Sequence, residues 1–272
     1  MRAPSQVESR FWIGSSSATV DVVDLGVGRV AVYCAASPLH PGRNEDAAAT
    51  FTLPECAVIA VADGVGGLPD GEAASAHALE ALGRSLSDVE EDPSATQVRN
   101  AMLDGFERGH DLIRRTGSGA TTLVTAEVRD GTLRTFHTGD SAVLVVDRGG
   151  SLRLQTVAHS PVGYAMESGL INEEDALFHA NRNVIFKCLG RDQMGIEVGW
   201  PLAIDERDAV LLASDGLLDN VTLAELVEAL REPDIERSCA ELGQLAEQRM
   251  RVEFDGKPSK PDDLTVAVFR CS

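Results

Sequence analysis

Positive charge is what this chain has little of: 24 Lys and Arg stand against 43 Asp and Glu over 272 residues, a formal charge of −19. Nucleic-acid backbones need clustered cations, and no basic stripe is present, so nucleic acid is excluded as a partner. The same acidity repels anionic lipid. No run reaches the roughly 18 apolar residues of a membrane span, and residues 1–8 lack the apolar core of a signal peptide. Five cysteines (Cys34, Cys56, Cys188, Cys239, Cys271) are odd in number and scattered, with no C-x-x-C pair. They read as buried free thiols of a reducing compartment, which gives a cytoplasmic expectation. No Cys opens a Gly-rich loop ending in Arg, which argues against thiol-based phosphate chemistry. Linkers, internal repeats and low-complexity tracts are also missing, so one domain is expected over residues 29–272.

What is present is a regular succession of apolar patterns. Residues 29–36 and 57–62 read as strands, with a polar loop at 40–46 between them. Helices are expected at about 71–86 and 94–115, from apolar stripes of period 3.6 and the start signal Asp92-Pro93-Ser94. Strands at 120–128, 132–138, 142–147 and 152–157 follow, joined by tight-turn sequences into an antiparallel meander. From 158 to 195 the pattern loosens into short elements and loops. A strand at 208–214, helices at 223–230 and 235–251, and a strand at 264–270 complete the chain. Residues 1–28 form an N-terminal extension, an edge strand or a contact surface, from Phe11-Trp12-Ile13 and Thr19 to Val23. Helix pairs inserted between antiparallel strand runs predict an α+β fold, with sheets inside and helices outside.

Two Asp-Gly dipeptides carry the functional signal. Val58 to Ala62 leads into Asp63-Gly64, and Val210 to Ser214 leads into Asp215-Gly216. Asp130-Gly131 serves as the control: alternating strands flank it directly, so it is a hairpin turn. The other two are followed by no returning strand. Three more acidic motifs lie at expected strand ends: Asn44-Glu45-Asp46, Thr138-Gly139-Asp140-Ser141 and Pro261-Asp262-Asp263. Carboxylates gathered at one place repel one another and resist desolvation. Divalent cations remove that conflict, and all-oxygen ligation favours Mg²⁺ or Mn²⁺ over zinc or copper.

These motifs, with Gly117-Ser118-Gly119-Ala120-Thr121-Thr122 and Asp262-Asp263-Leu264-Thr265-Val266, occur in an order that resembles the metal-dependent protein serine/threonine phosphatases (type 2C, the PPM family), in their bacterial form. The resemblance spans about residues 29–270. It implies a four-layer α-β-β-α sandwich with a two-metal centre, and phosphorylated proteins as substrates. By position it implies that Asp63 bridges both metals and that Asp46 and the Gly64 carbonyl hold one of them. Asp215 and Asp262 hold the other, Glu45 acts through a water, and Asp140 belongs to a third ion. The stretch 160–195 resembles the family's flap. Two cations about 3.5–4 Å apart sharing one water would ready it for attack on phosphorus.

Departures from the family pattern are local. Pro41 stands where an Arg that grips phosphate is common, which leaves Arg43 as a phosphate contact or as a surface residue. Val65 stands where some relatives have a His, with His40 and His159 as substitute proton donors or ordinary loop histidines. Asp263 replaces a common Asn, and Ala142 a common Arg. The reading is a phosphoserine/phosphothreonine phosphatase. Its alternatives are a non-catalytic phosphatase-like binding protein and a phosphatase of a small phosphoester.

Overall fold

Side-chain alternation of period two explains how the layers stack. In the computed structural model, which describes residues 7–68, 70–252, 254 and 256–272, the strands form two antiparallel sheets. The first runs β1 (Glu8–Ile13), β4 (Ala47–Leu53), β5 (Cys56–Ala62), β6 (Leu123–Arg129), β7 (Thr132–Thr138) and β10 (Glu197–Val198), with β11 (Leu202–Ala203) also on β7. The second runs β2 (Val20–Asp24), β3 (Gly28–Ala35), β13 (Leu264–Cys271), β12 (Ala209–Ala213), β8 (Ala142–Val146) and β9 (Leu152–Gln155).

Val58, Ala60 and Ala62 of β5 face helices α1 (Gly71–Ser87) and α2 (Ala95–Thr116), while Ala57, Ile59 and Val61 face the other sheet. In β12, Ala209, Leu211 and Ala213 meet α5 (Asp215–Leu218), α6 (Leu223–Leu230) and α7 (Ile235–Arg251), and Val210 and Leu212 point between the sheets. Three apolar layers therefore separate four layers of secondary structure, which is the expected α-β-β-α sandwich. Both central strands are buried on both faces, so they carry no polar alternation.

Helix α2 starts at a capping box in which Ser94 and Gln97 exchange hydrogen bonds, as its start signal implied. Residues 215–218 differ from the sequence reading, which left them outside any helix. Ser214 stands before a single helical turn there, without a side-chain capping bond, and the turn is too short to leave a periodic stripe. The loosely patterned stretch holds α3 (Pro161–Glu167) and α4 (Glu173–Leu177).

The opening residues form strands, one at the edge of each sheet; residues 1–6 lie outside the described residues. Trp12 is buried, and its Nε1 donates to Asp21 Oδ2 at 3.1 Å, as does the Arg10 guanidinium. These bonds tie β1 of one sheet to β2 of the other. Phe11 meets Phe51 edge-on with ring centroids 5.6 Å apart. Trp12→Ala should therefore cost about 3 kcal/mol of stability in urea denaturation. An unchanged midpoint would show that the N-terminal strands contribute nothing to the fold.

Candidate metal centre

Strand parity decides which acids meet. Ala47 pairs with Ala62, and Ala48 and Val61 point between the sheets. Carrying the alternation one step further puts Asp46 and Asp63 side by side at the strand ends, on the inter-sheet side. On the facing sheet, Ser214 and Thr265 are neighbours at the ends of β12 and β13, joined by Ser214 N to Thr265 O at 3.2 Å. Ser214 Oγ donates to Asp46 Oδ2 at 2.6 Å and accepts from Thr265 N at 3.0 Å. Asp263 makes a second bridge, its carboxylate accepting from Ser37 N (2.8 Å) and Glu45 N (2.7 Å). The two sheets are thus fastened together at the place where their acids gather.

Glycine is required here for close approach. A Cβ on Gly216 would lie 1.8 Å from the Asp263 carbonyl oxygen, and one on Gly64 would lie 2.7 Å from the backbone of Gly71. Both glycines let a helix start pack directly on a strand end, which draws Asp215 toward Asp262 and Asp263, and Asp63 toward the N-terminus of α1. At the control dipeptide the reason is conformational: Asp130 and Gly131 both have positive φ (51° and 65°), the signature of a tight hairpin turn.

Asp46, Asp215, Asp262 and Asp140 all bear electrostatically on Asp63, which places the five carboxyls in one neighbourhood. Burial, and then the charges of Asp46, Asp215, Asp262 and Asp140, hold the Asp63 carboxyl well above the usual range. Asp46 is raised likewise by burial, despite the Ser214 hydrogen bond. Asp140 is pushed up to about 8 by burial and then by Asp215 and Asp219, and Asp262 to about 6 by burial and Asp215. Asp46 Oδ1 and Asp140 Oδ1 are buried without a hydrogen-bond partner. Buried lone pairs left over in an all-oxygen, mutually repelling set fit a hard divalent cation.

Two members of the cluster escaped the sequence reading. Asp219 lies one helical turn beyond Asp215, a spacing that puts both on one face. Lys260 lies two residues before Asp262, on the same side of an extended segment. Its Nζ is 2.6 Å from Asp215 Oδ2, 2.9 Å from Asp219 Oδ2 and 3.0 Å from Asp262 Oδ2.

At the margin of the cluster, Glu45 lies against the start of α1, and a Cβ on Gly71 would come within 2.6 Å of its Oε2. Burial raises the Glu45 carboxyl, and Arg43, whose Nη2 is 2.8 Å from Glu45 Oε1, opposes the rise. About half of the Arg43 side chain is exposed. His40 is on the exposed loop near Glu45.

His159 is a poor proton donor. It is fully buried and stacked on His137 with centroids 4.6 Å apart, and burial followed by His137 brings its pKa down to about 4. His137, His159 and Glu197 also gather their ligand-type atoms within 4.8 Å. However, His159 Nδ1 accepts from Gly139 N at 3.2 Å, so the neutral ring carries its proton on Nε2, facing Glu197 Oε2 at 3.4 Å. That tautomer turns a proton, instead of a lone pair, toward the space between the three residues. Thiol chemistry is equally disfavoured: Cys34, Cys56, Cys188 and Cys239 are buried free thiols raised by burial, and Cys271 is half-buried, less so than the sequence reading had it.

A cleft of about 330 Å³ is lined by Asp140, Asp215 and Asp219 of the cluster together with Val162, Met166 and Leu226. Its wall in the segment 160–195 is anchored by Glu173 Oε1, which accepts from Leu223 N at 2.5 Å at the start of α6.

With this geometry, comparison with known proteins is informative. A family model described as protein phosphatase 2C matches residues 41–250, and the chain belongs to that family. Protein phosphatase PhpP of Streptococcus pneumoniae is 28% identical over 218 residues, covering 78% of this chain and 84% of that protein. Serine/threonine protein phosphatase PstP of Mycobacterium tuberculosis is 32% identical over 222 residues, covering 78% of this chain but 40% of the longer relative. The crystal structure of the M. tuberculosis phosphatase PstP/Ppp superposes with a TM-score of 0.71 at 27% identity, over 90% of this chain and 99% of that one. A structure of the PstP catalytic domain in complex with two manganese ions is 26% identical, with a TM-score of 0.69, over 90% of this chain and 98% of that one. No helix among the described residues is long and apolar enough to cross a membrane.

The raised carboxyls have a consequence for stability. An acid whose folded pKa lies above its unfolded value of about 4 stabilises the fold fully below that value, and the contribution is lost as pH rises through the folded pKa. For Asp262 and Asp140 the loss runs from about pH 4 through about 6 and about 8. Protein stripped with EDTA should therefore melt at a lower temperature at pH 8.5 than at pH 5.5, and added Mn²⁺ should reverse most of the difference. A metal-free melting temperature that rises over this interval would contradict the electrostatics.

Proposed function

We propose that this protein hydrolyses phosphoserine and phosphothreonine on other proteins, using Mn²⁺ or Mg²⁺ held by its carboxylate cluster. The observation that carries this reading is the gathering of buried, mutually repelling aspartates from both sheets in one neighbourhood, in a chain of the protein phosphatase 2C family. The relatives' names support a phosphoprotein substrate, and the manganese-bound PstP domain supports the choice of ions.

When bound, divalent ions supply an acidified water as nucleophile and neutralise charge on the phosphoryl oxygens. Asp63, Asp46 and the Gly64 carbonyl would hold one ion, and Asp63, Asp215 and Asp262 the other, with Asp140 beside them. Ser214 orients Asp46 by occupying Oδ2, which leaves Oδ1 free for ligation. Glu45, fixed at the helix start and paired with Arg43, orders water at the margin. Arg43 is exposed enough to swing from Glu45 to a substrate phosphate, replacing the grip that Pro41 cannot give. Val65 offers no proton at its position and His159 is buried against His137, which leaves His40, on the exposed loop near Glu45, as the remaining candidate donor of the two histidines. We read the whole described chain as one phosphatase domain, with 160–195 as its flap, and the buried thiols as suited to a reducing cytoplasm.

Purified protein with Mn²⁺ should release phosphate from phosphothreonine peptides. Asp63→Asn should lower kcat on the order of a hundredfold or more, and EDTA should abolish turnover. Manganese binding without any turnover would contradict the enzymatic reading and leave a non-catalytic binding protein. Arg43→Ala should raise KM about fivefold to tenfold with little change in kcat, equivalent to roughly 1 kcal/mol of lost charge-assisted hydrogen bonding. An unchanged KM would return Arg43 to the surface.

A further inference from the structure

Lys260 is unusual in that its ammonium lies inside the acidic cluster. Both its backbone and its side chain are held there. Asn220, fully buried at the end of α5, accepts from Lys260 N through Oδ1 at 2.7 Å and donates through Nδ2 to Lys260 O at 2.8 Å and to Gly216 O at 2.9 Å. The Asn220 carbonyl in turn accepts from Arg249 Nη1 at 3.2 Å. A buried amide has been committed to fixing one lysine against one helical turn, and Pro261 restricts the Lys260 backbone to extended conformations.

From that anchor the side chain reaches three carboxylates. It hydrogen-bonds Asp215 Oδ2 and makes ion pairs with Asp219 and Asp262, with 15% of its own surface exposed. Three carboxylate oxygens within 3.0 Å of one ammonium favour its charged form. On this side of the cluster Asp140 Oδ1 is buried without a partner, and Asp140 feels the charges of Asp215 and Asp219 together with that of Lys260. Asp140, Asp215 and Asp219 also border the cleft, through which an ion could enter. Three carboxylates around one point, open to solvent on one side, would suit a divalent cation if the ammonium were not there.

We propose that Lys260 is a built-in cation that occupies the Asp215–Asp219 side of the cluster and limits the protein to two bound divalent ions. The inference rests on the reading that the cluster binds divalent ions at all, and it deepens that reading by fixing the ion count. Lys260 is a positioning residue in this scheme. It neutralises Asp215 and Asp219 and holds Asp215 and Asp262 at a fixed separation, without touching substrate.

The test is a count of bound manganese on the full chain, by native mass spectrometry and by calorimetric titration with MnCl₂. The wild type should bind two ions. Lys260→Ser should bind one more, weakly, and Lys260→Arg, which keeps the charge, should bind two. Far-ultraviolet circular dichroism checks that each variant is folded; if the Ser variant is not, three ions on the wild type or on the folded Arg variant still overturn the proposal. Three ions on the wild type, three on the Arg variant, or no additional ion on a folded Ser variant would overturn the role of Lys260 while leaving the metal centre intact. Absence of manganese binding to every form would overturn both.

Discussion

Mutual repulsion among buried carboxylates is the constraint that organises this molecule. Asp46 and Asp140 each keep a buried carboxylate oxygen without a hydrogen-bond partner, and both raise the proton affinity of Asp63. A fold left to maximise its own stability would spread such charges over the surface. Their collection at one point is intelligible as preparation for a ligand of opposite charge, with the cost borne by the apolar layers on either side.

Those layers explain how the cluster stays assembled. The strands that deliver Asp63 and Asp215 are the most deeply buried in their sheets, so their ends are rigidly placed. Hydrogen bonds from Ser214 to Asp46 and from Glu45 to Asp263 then cross from one sheet to the other. Gly64 and Gly216 complete the assembly by admitting neighbouring backbone where any side chain would collide. The second coordination of forces runs through Asn220, which ties the segment before β13 to α5 and so keeps Lys260, Asp215 and Asp262 in one group. Remote residues such as Arg249 support it from behind.

Much of this was legible in the sequence because it follows from periodicity. Most apolar strands, the helices expected at about 71–86 and 94–115, and the contrast between Asp130-Gly131 and the two other Asp-Gly pairs are local patterns, although the buried strand Ala47–Leu53 was not read from the sequence. The layer order followed from helix pairs inserted between strand runs. Other features depended on contacts between distant residues. Asp263 reads in the sequence as an acid in place of a common Asn, and only the fold shows its carboxylate holding two loop amides. Asp219 and Lys260 carried usable spacing signals, one turn from Asp215 and two residues from Asp262, but nothing in a linear pattern shows an ammonium directed inward. His159 illustrates the converse: a histidine in a loop-rich stretch suggested proton transfer, and burial against His137 removed it from that role. The edge strands β1 and β2 were ambiguous because each borrows its pairing from a different sheet.

The most direct measurement is diffraction from crystals grown with MnCl₂, with anomalous signal collected at the manganese edge. Peaks should appear between the sheets, within ligation distance of Asp46, Asp63, Asp215 and Asp262. Manganese found only elsewhere, for example at His137, His159 and Glu197, or no ordered manganese at all, would contradict the assignment of this carboxylate cluster as the metal centre.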